Sequence, residues 1–138
     1  MAAAVSLTAA DRLAVLDVVT RADEAASRRD ADGYVELFTE DAVLDGTQGR
    51  HAGREALRAS LAPIWAAEGP ATLHLTLNPV VEPGPAPDQA VARSVLLIID
   101  PATPPALRTT AAITQELRRS EGSWRIARRT VAPAPGLG

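Results

Sequence analysis

The chain has 138 residues and a formal net charge of −3, and its length suits one domain with a single hydrophobic core. Hydrophobic residues make up 46% of the sequence and charged residues 22%, which is the composition of a globular protein and excludes a disordered one. The chain contains no cysteine, which excludes disulfides, thiolate nucleophiles and cysteine-based metal sites.

Charge and hydropathy patterns also bear on partners and location. Acidic and basic residues alternate without a basic stripe, and aromatic residues are too few to offer a stacking surface, which argues against nucleic-acid binding. No apolar run approaches the roughly 20 residues needed to cross a bilayer. Residues 1–7 carry no basic residue before their apolar stretch, unlike a signal peptide. We therefore expect a cytoplasmic protein whose partners include neither nucleic acid nor membrane.

The helical signals lie in the first half of the chain. Residues Thr8–Asp11 have the form of a capping box, and the apolar stripe behind them repeats at helical spacing. This pattern predicts a first helix from about Ala9 to Arg29. Asp30 can cap a short second helix, which is predicted to end at residues 39–41. The second helix carries three large side chains, Tyr34, Leu37 and Phe38.

A short strand and a third helix are predicted next. Residues 42–45 form the strand, and the glycine-rich residues 46–49 form a turn. The third helix begins near Gly53 and ends at Gly69. Pro63 lies inside this helix and predicts a kink or a restart.

The rest of the chain shows the alternation and turn signals of a sheet. Four strands are predicted, at residues 71–82, 89–100, 107–119 and 124–131. Helices followed by strands with short connections predict an α+β domain with helices packed on an antiparallel sheet, and such connections disfavour a parallel βαβ topology. We expect one domain over residues 1–138, with loose tails at 1–7 and 132–138.

Four segments, taken in order, resemble the SnoaL-like branch of the nuclear transport factor 2 (NTF2) superfamily. They are Asp30 with residues 37–42, residues 53–58, His74 with Asn78, and residues 124–129. The resemblance covers nearly the whole chain. It implies an NTF2-like cone, in which a strongly curved antiparallel sheet wraps around the long first helix and encloses an apolar pocket. It also implies a homodimer joined through the outer face of the sheet.

Residues 72–78 alternate between polar and leucine side chains, so the two sets lie on opposite faces of a strand. The polar set is Thr72, His74, Thr76 and Asn78. If the polar face lines a pocket, the leucine face is convex and exposed, and a partner should cover it. The alternative is that the leucines pack under the helices while the polar row faces solvent.

His74 is the leading candidate for catalysis. The resemblance implies a histidine at this place in the pocket of several lyases and isomerases. An imidazole titrates near neutrality, so it can take a proton from carbon beside a carbonyl and return it elsewhere. The alternative is a strand histidine that makes one hydrogen bond and has no chemical role.

A histidine base needs a carboxylate partner, and the family pattern does not supply one here. In the dehydratases and dehydrochlorinases of the superfamily, the acid and a tyrosine lie on the first helix, at positions that correspond to Ser27 and Ala22. Neither residue can take these roles. Asp23, Asp30 and Asp45 are candidate substitutes, although capping and turn roles explain Asp30 and Asp45 equally well.

Tyr34 and an arginine of the last strand complete the candidate catalytic set. Tyr34 can hydrogen-bond a carbonyl oxygen, or it can bury its ring with the hydroxyl at the surface. The resemblance implies an arginine that holds an anion or enolate in the pocket. Strict alternation selects Arg128 and the family motif selects Arg129, and a β-bulge would reconcile the two; an exposed edge-strand arginine is the alternative for either. Four further residues are candidate ligand contacts: Trp65, Asn78, Thr76 and Phe38.

The sequence therefore predicts a small-molecule pocket protein, and the resemblance favours a cofactor-free isomerase, cyclase or lyase acting on an apolar, carbonyl-bearing or cyclic metabolite. His74 would be the base, and Tyr34, Asp45 or Arg129 would stabilise the developing oxyanion. The alternatives are a non-catalytic binding module and a dimerisation domain whose pocket is filled by its own side chains. No metal site is expected, because His51 lies in a glycine-rich turn without useful ligand spacing.

Overall fold

The computed structural model describes residues 6–134 of the chain. The described residues form three helices, α1 (Ala9–Ser27), α2 (Ala31–Glu36) and α3 (Arg54–Glu68). The first two precede the sheet, and α3 lies between its second and third strands. The six strands are β1 (Phe38–Gly46), β2 (Gly49–Ala52), β3 (Leu73–Pro83), β4 (Gln89–Asp100), β5 (Ala106–Ser120) and β6 (Ser123–Pro133). None of the helices within the described residues is long and apolar enough to span a membrane.

The first helix begins at the predicted capping box. The Asp11 backbone N–H donates to Thr8 Oγ1 at 3.0 Å, and the Thr8 N–H donates to Asp11 Oδ2 at 3.3 Å, so both free N–H groups gain a partner. The apolar stripe of α1 is buried against the sheet, chiefly against β3. Its buried hydrophobic members are Val15, Val18, Val19, Ala22, Ala25 and Ala26.

The six strands form one curved open sheet in the order β2-β1-β6-β5-β4-β3, with the helices on its inner face. The predicted α+β architecture is confirmed. One expectation is wrong: β1 pairs parallel with β6, in a register that places Phe38 opposite Ile126. Short turns enforce antiparallel pairing only between successive strands, and β1 and β6 are joined through the whole intervening chain.

The predicted start of the first strand needs correction, and the predicted turn at residues 46–49 leads into a strand that was not predicted. The strand begins at Phe38 rather than at residue 42, because its first residue joins the β6 ladder instead of ending α2. The glycine-rich stretch contains a second strand, β2, in which His51 lies opposite Leu44. Pro63 lies inside an uninterrupted α3, whose buried face holds Leu61 and Trp65 against the core.

The alternation of β3 places its two faces as the pocket interpretation predicts. His74 is buried, whereas Leu73, Leu75 and Leu77 are exposed by 43%, 39% and 41%. A register shift after Leu77 breaks the pattern, and Asn78 adopts a positive φ of 50° and is exposed. The polar face of β3 therefore ends before Asn78.

The expected loose tails fall largely outside the described residues. Within them, Leu7 is buried in the hydrophobic core, and β6 continues to Pro133. Leu7 thus belongs to the core, and β6 runs two residues beyond its predicted end at residue 131.

Candidate functional site

A cavity of about 520 Å³ lies between the helices and the inner face of the sheet. Most of its wall is apolar, with contributions from Leu44, Leu61, Ile64, Trp65, Leu96, Ile98 and Val131. The polar and charged side chains in the wall include Tyr34, His51, Glu68, His74, Arg108 and Arg129. A concave site with an apolar majority and convergent polar groups is typical of a small-molecule site.

The buried His74 and the partly buried Glu68 form a pair in the cavity wall. The two side chains are 6% and 13% exposed, and His74 Nε2 lies 2.7 Å from Glu68 Oε1. His74 is the second residue of β3 and Glu68 is the last residue of α3, so a short reversal of the chain brings them together. The His74 backbone N–H donates to Ser27 Oγ at 2.9 Å, which fixes this part of β3 against α1.

The two ring nitrogens of His74 have different surroundings. The ionised carboxylate of Glu68 can only accept a hydrogen bond. Nε2 is therefore the nitrogen that carries the hydrogen when the His74 ring is neutral. Nδ1 then holds a free lone pair. It is buried and has no hydrogen-bond partner among residues 6–134. The arrangement thus combines a carboxylate that can stabilise the imidazolium with a nitrogen that can accept a proton.

Glu68 is held in its ionised form by its neighbours. Thr72 Oγ1 donates to Glu68 Oε1 at 3.0 Å, and Arg29 Nη1 lies 3.4 Å from the same oxygen. Burial raises the pKa of Glu68, but the hydrogen bonds and charges of His74, together with Thr72 and Arg29, outweigh it. The pKa of Glu68 therefore lies below its usual range.

Arg29 joins three elements around this pair. Its guanidinium donates to the carbonyl oxygens of Trp65 and Gly69, at 3.4 and 3.1 Å, and to Thr72 Oγ1 at 2.9 Å. It also lies 5.8 Å from the centre of the Trp65 ring. The backbone of Arg29 has a φ of 56°, in the left-handed region that L-residues rarely adopt. The end of α1, the end of α3 and the start of β3 are thus held together by one side chain.

A second buried charged cluster surrounds Arg129. The register between β5 and β6 shifts at Leu117, and this bulge turns Arg129 inward while Arg128 faces outward. Arg129 is 5% exposed, and its guanidinium donates to Gln115 Oε1 at 3.3 Å and lies 3.9 Å from Asp23 Oδ1. The bulge therefore reconciles strand alternation with the family motif, in favour of Arg129.

Tyr34 lies between the two clusters. Its ring packs edge-on against Trp65 at 5.8 Å and contacts Phe38 at 5.0 Å. Burial raises the pKa of Tyr34; the charge of Arg129 opposes this shift, and those of Asp23 and Glu68 add to it. The hydroxyl consequently remains a hydrogen-bond donor at neutral pH.

The structure brings four of the eight predicted site residues to the cavity wall: His74, Tyr34, Arg129 and Trp65. Phe38 is completely buried beneath Tyr34, and Thr76 donates to the carboxylate of Asp23. Asp45 lies on the outer face of β1 and pairs with Arg128 at 3.0 Å, so it is not brought to His74. Asn78 is exposed at the irregularity in β3.

Sequence reasoning missed three polar residues of this region. Glu68 and Arg29 lie at helix ends, next to glycine or to another arginine, where a surface role is the ordinary explanation. His51 was assigned to a turn, although its Nε2 is buried in the cavity wall. The one available signal was the Glu68-Gly-Pro helix stop six residues before His74. Within residues 6–134, no group of three or more His, Cys, Asp or Glu side chains converges as a metal site requires.

The curved open sheet with the helices on its inner face defines a protein of NTF2-like fold. Residues 7–130 match the sequence profile of the SnoaL-like domain, and the chain belongs to this family. No curated protein sequence matches the chain.

Solved structures show the same fold. A protein of unknown function from Nostoc punctiforme, with a cystatin-like fold, is 24% identical with a TM-score of 0.84, and the match covers 96% of this chain and 97% of that one. An NTF2-like protein from Novosphingobium aromaticivorans is 23% identical with a TM-score of 0.78, covering 94% and 85%. LinA is 18% identical with a TM-score of 0.72, covering 93% and 92%. These likenesses establish the fold.

Proposed function

We propose that this protein is a cofactor-independent isomerase, cyclase or lyase that acts on an apolar, carbonyl-bearing or cyclic molecule bound in the cavity. The observation that carries the proposal is the Glu68–His74 pair, with His74 buried and Glu68 partly buried, in the wall of a cavity with a majority of apolar surface. A histidine oriented by a carboxylate can act as a general base.

The proposed reaction begins at His74 Nδ1. The free lone pair takes a proton from carbon beside a carbonyl, so a C–H bond breaks, an N–H bond forms and the electron pair moves to the carbonyl oxygen. Glu68 stabilises the imidazolium through Nε2–H. The enolate then regains the proton at another carbon, closes a ring or expels a leaving group. Positioned acid–base catalysis of this kind contributes about 10²- to 10⁴-fold in rate.

Tyr34 and Arg129 would stabilise the developing oxyanion. Tyr34 is a protonated donor, and Arg129 makes one hydrogen bond, to Gln115, among residues 6–134. Its other N–H groups can therefore serve the ligand. Donors fixed in a buried site stabilise developing charge more strongly than water does.

We also propose that two copies associate through the outer face of the sheet. The exposed leucines of β3 lie opposite apolar residues of β4, in the pairs Leu73–Ile99, Leu75–Leu97 and Leu77–Val95. A continuous apolar patch of this kind on a sheet is unfavourable in water and favours a self-complementary contact.

A non-catalytic binding module is the second candidate. It is favoured by the first helix, where Ala22 and Ser27 stand at the positions of the tyrosine and acid of the superfamily dehydratases. In that case the Glu68–His74 pair would only hold the wall of the cavity and bind a ligand hydroxyl.

Deuterium exchange separates these two functions. Cyclohexanone, indanone and tetralone would be incubated with the protein in D₂O, and deuterium beside the carbonyl would be measured by NMR. We expect exchange above the buffer rate for at least one ketone, lowered roughly 10²- to 10⁴-fold in His74→Ala with unchanged ligand stabilisation. Asp45→Asn is the matched control and should exchange like the wild type. Ketones that stabilise the wild type without exchanging would support the binding module instead.

A further inference from the structure

We propose that His51 is a second polar anchor of the cavity, which selects ligands that carry an oxygen function at each end of an apolar body. The inference rests on the proposed function, because it assigns the same cavity to the ligand. It adds a specificity-determining residue at a place remote from the Glu68–His74 pair.

The buried nitrogen atoms that have no partner point to His51. Among residues 6–134, three buried side-chain nitrogens have no hydrogen-bond partner: His51 Nε2, His74 Nδ1 and Arg54 Nε. Arg54 already uses its guanidinium to donate to the Phe38 carbonyl. The other two belong to residues that line one cavity. Buried polar atoms without partners are rare, and two in one cavity indicate groups that a ligand would satisfy.

The sheet order separates the two histidines. His51 lies on β2 and His74 on β3, and these are the two edge strands of the six-stranded sheet. The two imidazoles therefore reach the cavity from opposite edges of the curved sheet. The wall between them includes the apolar side chains of Leu44, Ile98 and Trp65, together with Arg129 of the central strand β6. A ligand that contacts both imidazoles has an apolar middle and a polar group at either end.

The two histidines differ in chemistry. His74 has the carboxylate that a base requires, whereas His51 Nε2 has no hydrogen-bond partner within residues 6–134. A neutral imidazole nitrogen either donates to a carbonyl or accepts from a hydroxyl, and a ligand hydroxyl can satisfy both tautomers. Arg108 also lines the cavity, but its guanidinium pairs with Asp100 at 3.1 Å. His51 is thus suited to bind a second ligand oxygen and not to move a proton.

The test compares aromatic diols with the corresponding mono-ols. Dissociation constants would be measured by calorimetry for hydroquinone and phenol, a naphthalenediol and naphthol, and a biphenyldiol and phenylphenol. We expect at least one diol to bind the wild type about five- to tenfold more tightly than its mono-ol, beyond the roughly twofold statistical advantage of two equivalent hydroxyls. In His51→Leu this preference should fall to the statistical value. Arg50→Leu, a change on the same strand whose residue is exposed and outside the cavity wall, should retain it.

A second measurement keeps the inference testable if His51→Leu does not fold. In the ¹⁵N NMR spectrum of the wild type, the preferred diol should shift the His51 Nε2 signal, whereas its mono-ol should leave that signal nearer its free position. A preference that persists in His51→Leu, or a wild type that prefers none of the diols, would overturn the role of His51. If no compound of either kind binds, both this inference and the ligand-binding part of the proposed function fail. A different result is a wild type that shows no diol preference and yet catalyses deuterium exchange that is lost in His74→Ala. That result would overturn the role of His51 and still support the proposed catalysis by His74.

Discussion

His74 depends on two neighbours for any chemistry it performs. Glu68 orients the ring and provides negative charge, while Ser27 holds the backbone of the same residue through a hydrogen bond of 2.9 Å. The superfamily acid position, Ser27, therefore retains a structural role although it cannot stabilise an imidazolium. The carboxylate beside His74 is that of Glu68, at the end of α3. The resemblance to the SnoaL-like family does not indicate this position.

The charge of Glu68 should couple stability to pH. Its pKa is lower in the folded protein than the ordinary value of 4.5, so ionised Glu68 stabilises the fold above that value. This contribution is lost as the pH falls through the folded pKa. We expect Glu68→Gln to be less stable than the wild type in urea at pH near 7 and to approach it below about pH 4. A difference in unfolding free energy that stays constant with pH would contradict this assignment.

Arg129 should stabilise the buried negative charge of Asp23. Asp23 and Arg129 are each 5% exposed, so removal of one partner leaves the other charged and buried. We expect Arg129→Met to lower the free energy of unfolding by about 3–5 kcal/mol. The double variant Asp23→Asn/Arg129→Met should recover much of that loss in urea unfolding. Additive losses in the double variant would show that the two side chains do not interact.

At the scale of whole elements, patterns within one strand or helix were good predictors. The capping box located the start of α1, the turn signals located β4, and strict alternation separated the two faces of β3. These features depend on residues that are close in sequence.

Features that depend on distant pairing could not be predicted in the same way. β1 begins at Phe38 because that residue joins the ladder of β6, which is remote in sequence. The inward turn of Arg129 depends on a bulge against β5. Glu68 meets His74 only because α3 ends where the chain reverses into β3. Half of the predicted site residues line the cavity, and the partner acid was not among them.

Arg29 should stabilise the junction of α1, α3 and β3 despite its backbone conformation. A glycine at this position relieves the left-handed backbone but removes the guanidinium that binds Thr72, Gly69 and Trp65. We expect Arg29→Gly to lower the unfolding free energy by about 1–3 kcal/mol. The matched control is Glu121→Gly, because Glu121 has a similar φ of 54° in an exposed turn. There the change should be neutral or stabilising by up to about 1 kcal/mol. Equal effects of the two substitutions in urea unfolding would contradict the role of the Arg29 side chain.

At the scale of the molecule, the apolar outer face of β3 and β4 lies opposite the cavity face. A charge introduced there should prevent the proposed dimer. We expect Leu75→Glu to sediment as a monomer at concentrations where the wild type sediments as a dimer. Leu13→Glu, on α1, tests a leucine that is exposed by 68% but lies away from the patch, and it should leave the assembly unchanged. A wild type that is monomeric, or a Leu75→Glu variant that still dimerises, would contradict the proposed interface.

The protonation of the His74 ring tests the central claim most directly, since Glu68 must fix the proton on Nε2 to leave Nδ1 free as a base. ¹⁵N NMR of the imidazole, recorded where the ring is neutral, distinguishes a protonated nitrogen from one with a lone pair. We expect a protonated Nε2 and an unprotonated Nδ1. A ring protonated on Nδ1 would contradict it, because the only nitrogen able to accept a proton would then face Glu68 and not a ligand.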